Sequence, residues 1–429
     1  MFPGMRGTSD WITNARPENW RETILYLYPN GMAPLTALMS MMPSKVVDDP
    51  KFHWFTSTIG DVNGAVTNIF TIADFSVAYV TGGVVNDTLF VQITAAMANQ
   101  VRVGHVVLLR DQSDFDVDVL AEVIDRVVNG ANSYLAVKLL EADDNSANGD
   151  LSDCDWFKIV GNINAEGSEM PPAIARDPVE YDNVTQIFRT PLSITNTARA
   201  TRLRTGDDYQ KAKRECLEYH SIEMENAFMW GKYFNGFGDN GKPKRARRGL
   251  IDWIRTGAAA NVDNYVTNAT YAAQTWAAGG EIWFNIMLEQ MFRYGSGHKL
   301  AFCGSGALLG IDAMAKAGGQ INLSPGQTMY GMKVTEITTP FGELTLKTHP
   351  LFSFDQTTRN MMVIFEPDQL EYKFLKGRDT EFIADTNSRN SGTVDATIEE
   401  YLTEAGLEFH HPEKSGVLNG VGLLNTVAP

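Results

Sequence analysis

The feature that most constrains this chain is one long, uninterrupted helical segment at Asp207–Phe234. It reads DDYQKAKRECLEYHSIEMENAFMWGKYF, it contains no proline, and its one glycine, Gly231, falls in the last turn. At a rise of about 1.5 Å per residue the segment predicts a rod of roughly 40 Å, whereas the mean globular helix has about 11–12 residues. The segment therefore predicts one unusually long amphipathic helix packed along a sheet.

Local signals give this helix its predicted ends and faces. Asp207 is the expected N-cap, because a short carboxylate accepts the free N–H groups of a first turn, and Asn235-Gly236 is the expected end. The predicted buried face recurs at steps of three and four residues and comprises Tyr209, Ala212, Cys216, Tyr219 and Ile222. Four-residue spacing predicts two ion pairs on the solvated side, Lys211 with Glu215 and Arg214 with Glu218.

Charge and cysteine content exclude several classes of function. The 429 residues include 36 Lys plus Arg and 52 Asp plus Glu, a net charge of −16. A general nucleic-acid coat needs an excess of cations, so only a single basic patch could meet a polyanion. Three distant cysteines argue against a disulfide framework and a zinc site and favour a reducing compartment. The sequence contains no apolar run of about 18 residues, so it predicts no membrane span. The N-terminus lacks the apolar core of a signal peptide.

Residues 1–55 have the pattern of an arm without a core of its own. Within them, Pro34–Met42 predicts a short helix closed by Pro43. Its apolar stripe consists of Leu35, Leu38, Met39 and Met42. Such a stripe must pack on another surface, either the body of this chain or a neighbouring copy, and we predict intersubunit contacts for these four residues.

The next part of the chain changes to a β pattern. Short runs rich in Val, Ile, Leu and aromatic residues, separated by Asn, Gly and Asp, predict a small barrel or sandwich; the runs are Val103–Leu109, Leu120–Val128, Tyr134–Leu140 and Trp156–Val160. Gln186–Thr195 follows as a strand that contains a proline, which predicts an edge or bulged position.

After the long helix the elements alternate irregularly. Helices are expected at Gly280–Tyr294 and Ala307–Ala317, and strands at Lys299–Cys303, Met332–Ile337, Gly342–Thr348, Met361–Phe365, Leu370–Leu375 and Ala396–His410. Strands come in runs with helices between them, without regular β–α alternation. The predicted fold class is therefore α+β with one inserted β domain.

No catalytic constellation stands out in the sequence. The turn Gly304–Gly310 between a strand and a helix has Leu309 where a dinucleotide fingerprint needs its third glycine, so a tight strand-to-helix turn is the preferred interpretation. The adjacent His410 and His411 point to opposite faces of an extended segment and do not readily bind one metal ion together. We expect no enzymatic activity and no cofactor.

One acidic segment matches the spacing of a calcium loop. Its residues at positions 1, 3, 5, 6, 7 and 12 are Asp144, Ser146, Asn148, Gly149, Asp150 and Asp155. The flanks are predicted strands rather than helices, and Asp155 stands where a bidentate Glu belongs. A solvated polar turn is the preferred interpretation, and calcium binding is the alternative.

A basic cluster stands out in this acidic chain. It lies in a predicted glycine-rich loop, Gly236–Gly249, and comprises Lys242, Lys244, Arg245, Arg247 and Arg248. Three interpretations remain open: a solvated loop, a contact with an acidic patch of a neighbouring copy, or a contact with nucleic-acid phosphates.

Taken in order, several phrases of the sequence resemble the major capsid proteins of tailed bacteriophages with the Hong Kong 97-like fold. The phrases are LYPNGMAPLTALMSMMP followed by DDPKFHWF, NVTQIFRTPLSITNTA before the long helix, MWGKYF at its end, RRGLIDWI after it, and FGELTLKTHP late in the chain. None is a catalytic motif, and the resemblance rests on their order over most of the chain.

The resemblance implies a division into an arm, a loop region and two domains. It places the N-terminal arm at 1–55 and an extended E-loop at 56–183, here enlarged by an inserted β domain at about 86–162. It places a peripheral domain at 184–248 with its spine helix at 207–234, an axial domain at 249–365, and C-terminal strands that return to the peripheral domain at 366–429.

The implied function is that of a major capsid protein that assembles as pentamers and hexamers into an icosahedral head around double-stranded DNA. Implied partners are copies of itself, a separate scaffolding protein, a portal, a decoration protein and the packaged DNA on the inner surface. The expected location is the virion, after assembly in the bacterial cytoplasm. The sequence lacks a matching residue set for covalent cross-links and a scaffolding segment before the arm. Alternatives are another virion protein of the decoration or tail class, or an enzyme that uses the Gly304–Gly310 turn.

Overall fold

The chain forms two compact units, residues 1–54 with 180–429 and residues 55–179. The computed structural model describes residues 34–39, 44–57, 63–112, 118–143, 150–171, 173, 178–201, 208–318, 323–329, 332–384 and 395–423. The described α-helices are Pro34–Met39, Ala95–Ala98, Asn196–Ala200, Asp208–Trp230, Leu250–Gly257, Trp276–Phe292, Ser305–Gly318 and Pro350–Phe354. The mixed α+β architecture agrees with the predicted fold class.

A five-stranded sheet supports the long helix in the first unit. Its strands follow the order Ser44–Val47, Leu370–Leu375, Ala396–Phe409 and Gln186–Thr195, and Glu381–Ile383 also pairs with Ala396–Phe409. Gln186–Thr195 is an edge strand, as its proline predicted, and Pro191 lies opposite Glu400. An edge strand tolerates proline because the missing N–H faces away from the sheet.

A seven-stranded sheet forms the second layer of this unit. Its strands lie in the order Val262–Asn264, Gly416–Asn419, Met362–Phe365, His298–Cys303, Gly342–Thr348, Met332–Thr339 and Leu323–Met329. The predicted strands Met332–Ile337 and Gly342–Thr348 are confirmed and pair as a hairpin, with the first strand extended to Thr339. Residues 366–429 were expected to return to the sheet of the long helix. Leu370–Leu375 and Ala396–Phe409 do so, whereas Gly416–Asn419 joins this second sheet instead.

The long helix runs over Asp208–Trp230, so it ends four residues before the predicted Phe234. The predicted N-cap Asp207 lies outside the described residues. The N–H of Gly231 still donates to Ala227 O at 3.0 Å, but the carbonyl of Gly231 accepts from Gly249 N at 2.8 Å. A Cβ at Gly231 would lie 2.8 Å from the carbonyl oxygen of Arg247. The helix therefore ends where residues 247–249 pack against it.

The buried face of the helix differs from the predicted one by one position. Cys216 is buried as expected, but Tyr219 is 64% exposed and His220 is buried in its place. The buried face continues through Met224 and Phe228. The two predicted ion pairs, Lys211 with Glu215 at 3.8 Å and Arg214 with Glu218 at 3.0 Å, are confirmed.

The N-terminal helix packs inside the first unit. Leu35 and Leu38 are fully buried in the hydrophobic core that also holds Phe228 of the long helix. The backbone N–H of Leu35 donates to the Glu225 carboxylate at 2.8 Å. The following strand, Ser44–Val47, pairs in parallel with Leu370–Leu375. These parts of the predicted arm therefore belong to the fold of their own chain.

The second unit is a closed barrel of six strands. In chain order the strands are Asn63–Phe70, Thr88–Ile93, His105–Arg110, Asp118–Val127, Tyr134–Leu139 and Trp156–Asn162. Its core contains Val91, Leu109, Val123 and Phe157, which alternate with outward-facing residues along the strands. The predicted inserted domain began at about residue 86, but Asn63–Phe70 closes the barrel by pairing with Thr88–Ile93 and Trp156–Asn162.

Candidate functional site

The basic cluster lies on a two-stranded hairpin that continues from the long helix. Phe234–Phe237 pairs with Pro243–Ala246 in antiparallel register. The turn between them is fixed, because Gly238 N donates to Lys242 O at 2.8 Å and Lys242 N donates to Asn240 Oδ1 at 3.0 Å. We name residues 234–246 the basic hairpin. It presents its charges from an ordered ribbon rather than from the irregular loop expected from sequence.

The five basic side chains separate into two groups with different surroundings. Lys242 and Lys244 are exposed and Arg245 is half-buried, all three on the basic hairpin. Arg247 is fully buried, and the ring of Phe228 lies 2.9 Å from its guanidinium carbon. Its Nη2 donates to the carbonyl of Met224 at 3.2 Å. The intersubunit contact predicted for Arg247 is therefore wrong for its side chain, which packs within its own chain.

Burial also changes the acid–base character of Arg247. Burial lowers the pKa of its guanidinium, and the neighbouring Tyr372 and Glu225 oppose that shift. The planar guanidinium stacks on an aromatic face, which a lysine ammonium would do less well. Arg247 thus anchors the base of the hairpin to the long helix.

Arg248 forms a second anchor. Its Nε lies 3.3 Å from Asp252 Oδ2 in the following helix. Its backbone N–H donates to Asn183 Oδ1 at 2.9 Å, and Asn183 Nδ2 donates to Leu407 O at 2.7 Å. This network ties the hairpin to the five-stranded sheet, so Arg248 is a positioning residue rather than a free cation.

A cleft of about 560 Å³ lies between the basic hairpin and the edge of the five-stranded sheet. Its lining includes Thr185, Ile187, Phe234, Asp239, Lys242, Lys244, Arg245 and Glu404. Glu404 is already bound, since Thr185 Oγ1 donates to it at 3.1 Å and Arg378 Nε at 2.6 Å. Asp239 is exposed in the hairpin turn, but the lining also holds three cations, so the remaining charge at this cleft is net positive.

Exposed aromatic residues accompany the cations. Phe237 is 76% exposed, Phe234 is 50% exposed and Ile187 is 49% exposed. Sequence reasoning missed Phe237 because it treated 236–249 as a loop, and it assigned Phe234 to the long helix. The tetrapeptide Gly238–Gly241, preceded by the short aromatic run Phe234–Phe237, is the signal that predicts a hairpin. Aromatic residues and arginine are enriched at protein-binding surfaces, so Phe234, Phe237 and the half-buried Arg245 fit such a surface.

The other predicted contact residues have different positions. Leu35 and Leu38 are buried in their own chain, so their side chains do not carry the predicted intersubunit contact. The side chain of Met39 and all of Met42 lie outside the described residues.

The glycine-rich turn at Gly304–Gly310 serves packing. A Cβ at Gly304 would lie 2.2 Å from the carbonyl oxygen of Arg359, and one at Gly310 would lie 2.4 Å from the Cα of Gly422. Gly304 links the strand His298–Cys303 to the helix Ser305–Gly318. The preferred interpretation as a tight strand-to-helix turn is confirmed, because neighbouring backbone occupies the space at these glycines.

The calcium-loop pattern falls largely outside the described residues, which omit 144–149. Of its two described acids, Asp150 accepts from Ser152 N at 2.8 Å and Asp155 accepts from Gln112 N at 2.9 Å. The Asp150 carboxylate therefore serves a local turn, whereas the Asp155 carboxylate joins two segments that are 43 residues apart in sequence. Across the described part of the chain, no three His, Cys, Asp or Glu side chains are grouped so that they could hold a metal ion.

The three cysteines are buried and unpaired. Burial raises the pKa of the Cys154 thiol to about 12, and it also raises the pKa of Cys216 and of Cys303. Thiols of raised pKa are poor nucleophiles. Among the helices described, none is long and apolar enough to cross a membrane.

Sequence comparisons with known proteins point to one family. Residues 6–422 match the family model of the SU10 major capsid protein. The major capsid protein of Pseudomonas phage PaMx41 is 26% identical over 428 residues, covering 93% of this chain and 91% of the relative. A structure from Mycobacterium phage Bobi aligns over 96% of this chain and 98% of its own, at 7% identity and a TM-score of 0.45. One from Mycobacterium phage Adephagia covers 99% of both chains, at 9% identity and a TM-score of 0.42. Because the family model spans nearly the whole sequence, this chain belongs to the SU10 major capsid protein family and is a structural capsid protein of a phage.

Proposed function

We propose that copies of this chain assemble as pentamers and hexamers into the icosahedral head of a tailed phage, around its double-stranded DNA. The family match over residues 6–422 is the observation that carries this proposal. In this proposal the barrel unit is the enlarged E-loop region, the long helix with the five-stranded sheet is the peripheral domain, and the seven-stranded sheet belongs to the axial domain. A separate scaffolding protein, a portal and a decoration protein complete the particle, which forms in the bacterial cytoplasm.

The basic hairpin is the proposed contact between copies. Identical subunits of net charge −16 repel one another when they pack closely. The exposed cations Lys242 and Lys244, beside the exposed Phe237, offer both positive charge and apolar area on one ribbon. An exposed ion pair contributes only about 0.2–1 kcal/mol, but the same contact recurs with every subunit of a closed shell.

The rival role for the hairpin is contact with packaged DNA, whose phosphates would meet the same cations. The two roles differ for empty particles, which need intersubunit contacts but no DNA contacts. The informative variant is Lys242→Gln/Lys244→Gln/Arg245→Gln, which spares the buried Arg247 and the paired Arg248.

The test measures assembly of empty shells by sedimentation velocity over a range of salt concentrations. We expect the triple variant to sediment as small species where the wild type forms shells, with the largest difference at low salt. A matched control is Arg293→Gln/Lys316→Gln, because each of these exposed cations pairs with an acid four residues before it. Shells of the triple variant that match the wild type at every salt concentration would refute the contact role and favour the DNA role.

A second structural role, that of a decoration or tail protein, predicts a different result. Such a protein would bind a preformed particle without forming a shell, whether expressed alone or with a scaffolding protein. Shell formation by this chain therefore separates the two roles.

A further inference from the structure

The barrel unit carries most of the negative charge of the chain. Residues 55–179 contain 18 Asp plus Glu and 6 Lys plus Arg, whereas the rest of the chain contains 34 and 30. The barrel unit thus has a net charge of −12 and the other unit −4. The acidity of the protein is concentrated in one unit, and the exposed cations of the basic hairpin lie on the other.

Topology places this charge at one end of the barrel. Every neighbouring pair of barrel strands is antiparallel, so strands that follow one another in the chain run in opposite directions. The described parts of the connections after the first, third and fifth strands therefore lie at one end, which we name the acidic pole: residues 71–87, 111–112, 140–143 and 150–155. The chain enters Asn63–Phe70 and leaves Trp156–Asn162 at the opposite end.

The acidic pole contains surface carboxylates and no basic residue in its connections. Residues 71–87, 111–117 and 140–155 contain no Lys, Arg or His. The carboxylates at the surface of the described part are Asp74, Asp87, Glu141, Asp150, Asp153 and Asp155. The opposite end has Arg102 and no acid in its two internal connections, 94–104 and 128–133.

The acidic pole also presents an ordered apolar loop. Val80 is 68% exposed and Val84 is 57% exposed. Between them, Gly83 N donates to Tyr79 Oη at 2.8 Å, and Asp143 N donates to Gly83 O at 3.0 Å. Because these bonds fix the loop, its exposed valines lose little conformational entropy when they bind a partner.

The basic hairpin has the complementary composition, with Lys242 and Lys244 beside the exposed rings of Phe234 and Phe237. We propose that the cleft of the basic hairpin binds the acidic pole of a second copy of this chain, with valines of the pole against the phenylalanines and carboxylates against the lysines. The inference rests on the proposed contact role of the hairpin and names its partner. The contact is heterologous, so each copy can offer its hairpin to one neighbour and its pole to another.

Disulfide trapping between singly substituted chains tests the pairing. One chain carries Lys244→Cys, and a second chain with a tag of different mass carries Asp153→Cys at the acidic pole. The control partner carries Asn129→Cys, an exposed residue at the opposite end of the barrel. The three native cysteines are buried and of raised pKa, so they contribute little background.

We expect the mixed dimer of the Lys244→Cys and Asp153→Cys chains to form at least several-fold faster in assembled particles than the mixed dimer with the Asn129→Cys chain. Equal or faster trapping with the control partner would overturn the pairing but leave a hairpin contact in place. Absence of trapping to either partner, together with wild-type assembly of the Lys242→Gln/Lys244→Gln/Arg245→Gln variant, would instead refute the contact role itself.

Charge reversal gives a second readout that needs no introduced thiol. Lys242→Glu/Lys244→Glu and Val80→Lys/Asp153→Lys should each reduce assembly on their own. One chain that carries all four substitutions should regain assembly, because the reversed charges again attract. Failure of the combined chain to exceed either double variant would count against the pairing.

Discussion

The carboxylate of Glu225, inside the long helix, accepts a hydrogen bond from the backbone N–H of Leu35 at 2.8 Å. Glu225 is fully buried, and the same oxygen lies 2.8 Å from His349 Nε2. A buried carboxylate needs such partners, because an unpaired buried charge is costly. The N-terminal helix is therefore part of the polar network at the centre of the first unit.

This relationship predicts different results for two truncations. Deletion of residues 1–31 leaves the Leu35–Glu225 bond intact, whereas deletion of residues 1–45 removes it together with the burial of Leu35 and Leu38. Burial of one leucine contributes about 1.5–3 kcal/mol, so we expect the longer deletion to lower the free energy of unfolding by several kcal/mol. Denaturant titration of both proteins measures this. A stable, soluble product of the longer deletion would contradict the assigned role of the N-terminal helix.

Substitution of Arg247 and of Lys244 should have different effects on stability, although the two residues are only three positions apart. Arg247 is fully buried, so Arg247→Ala removes a large core side chain and should cost about 3–5 kcal/mol. Lys244 is exposed, so Lys244→Ala should change stability by less than about 0.5 kcal/mol while it weakens assembly. Chemical denaturation and sedimentation of the two variants separate these effects. Equal stability losses would show that the division of the basic cluster into two groups is wrong.

Excision of the barrel tests its boundary. Replacement of residues 87–161 by a short Gly/Ser linker would leave Asn63–Phe70 without its neighbouring strands. It would also expose the otherwise buried Val66 and Ile69. Replacement of residues 57–178 removes all six strands together. We expect the first protein to aggregate and the second to stay soluble and unfold cooperatively. The reverse outcome in a thermal melt with light scattering would contradict the barrel boundary.

His220 should make stability depend on pH. Burial lowers the pKa of its imidazole, against a smaller opposing effect of Glu223. The ring lies between Thr190 Oγ1 at 2.9 Å and Thr403 Oγ1 at 2.8 Å. The folded state therefore binds the imidazole proton less tightly than the unfolded state. The stabilising contribution of neutral His220 is complete above the ordinary pKa of about 6.5, and the free energy of unfolding falls as the pH drops below that value. The free energy of unfolding of His220→Gln should fall less between pH 7.5 and 5.5 than that of the wild type, and an unchanged slope would contradict this assignment.

The sequence predicts best those elements that local periodicity determines. Gln186–Thr195 and Leu370–Leu375 have the predicted bounds, because their alternation and flanking residues specify strands without long-range information. Local periodicity could not predict that Tyr219 is exposed. Tyr219 and His220 both fit a helical stripe, and only Thr190 and Thr403, brought close by the sheet, select His220.

The candidate site was predicted only in part for a similar reason. The sequence shows five basic residues in one segment, but long-range packing decides their surroundings. Phe228 and Met224, on the helix that ends before the hairpin, bury Arg247, whereas Lys242 stays exposed beside the turn. The barrel was predicted as a β domain, but the predicted runs omitted its first two strands, Asn63–Phe70 and Thr88–Ile93. The first strand closes the barrel by pairing with the second and with the last, Trp156–Asn162, which is distant in sequence.

Electron microscopy of the protein after expression, alone and together with a scaffolding protein, tests the central claim most directly. The account predicts closed shells in which this chain forms pentamers and hexamers. Small discrete oligomers in both preparations, with no shell at any salt concentration, would contradict it.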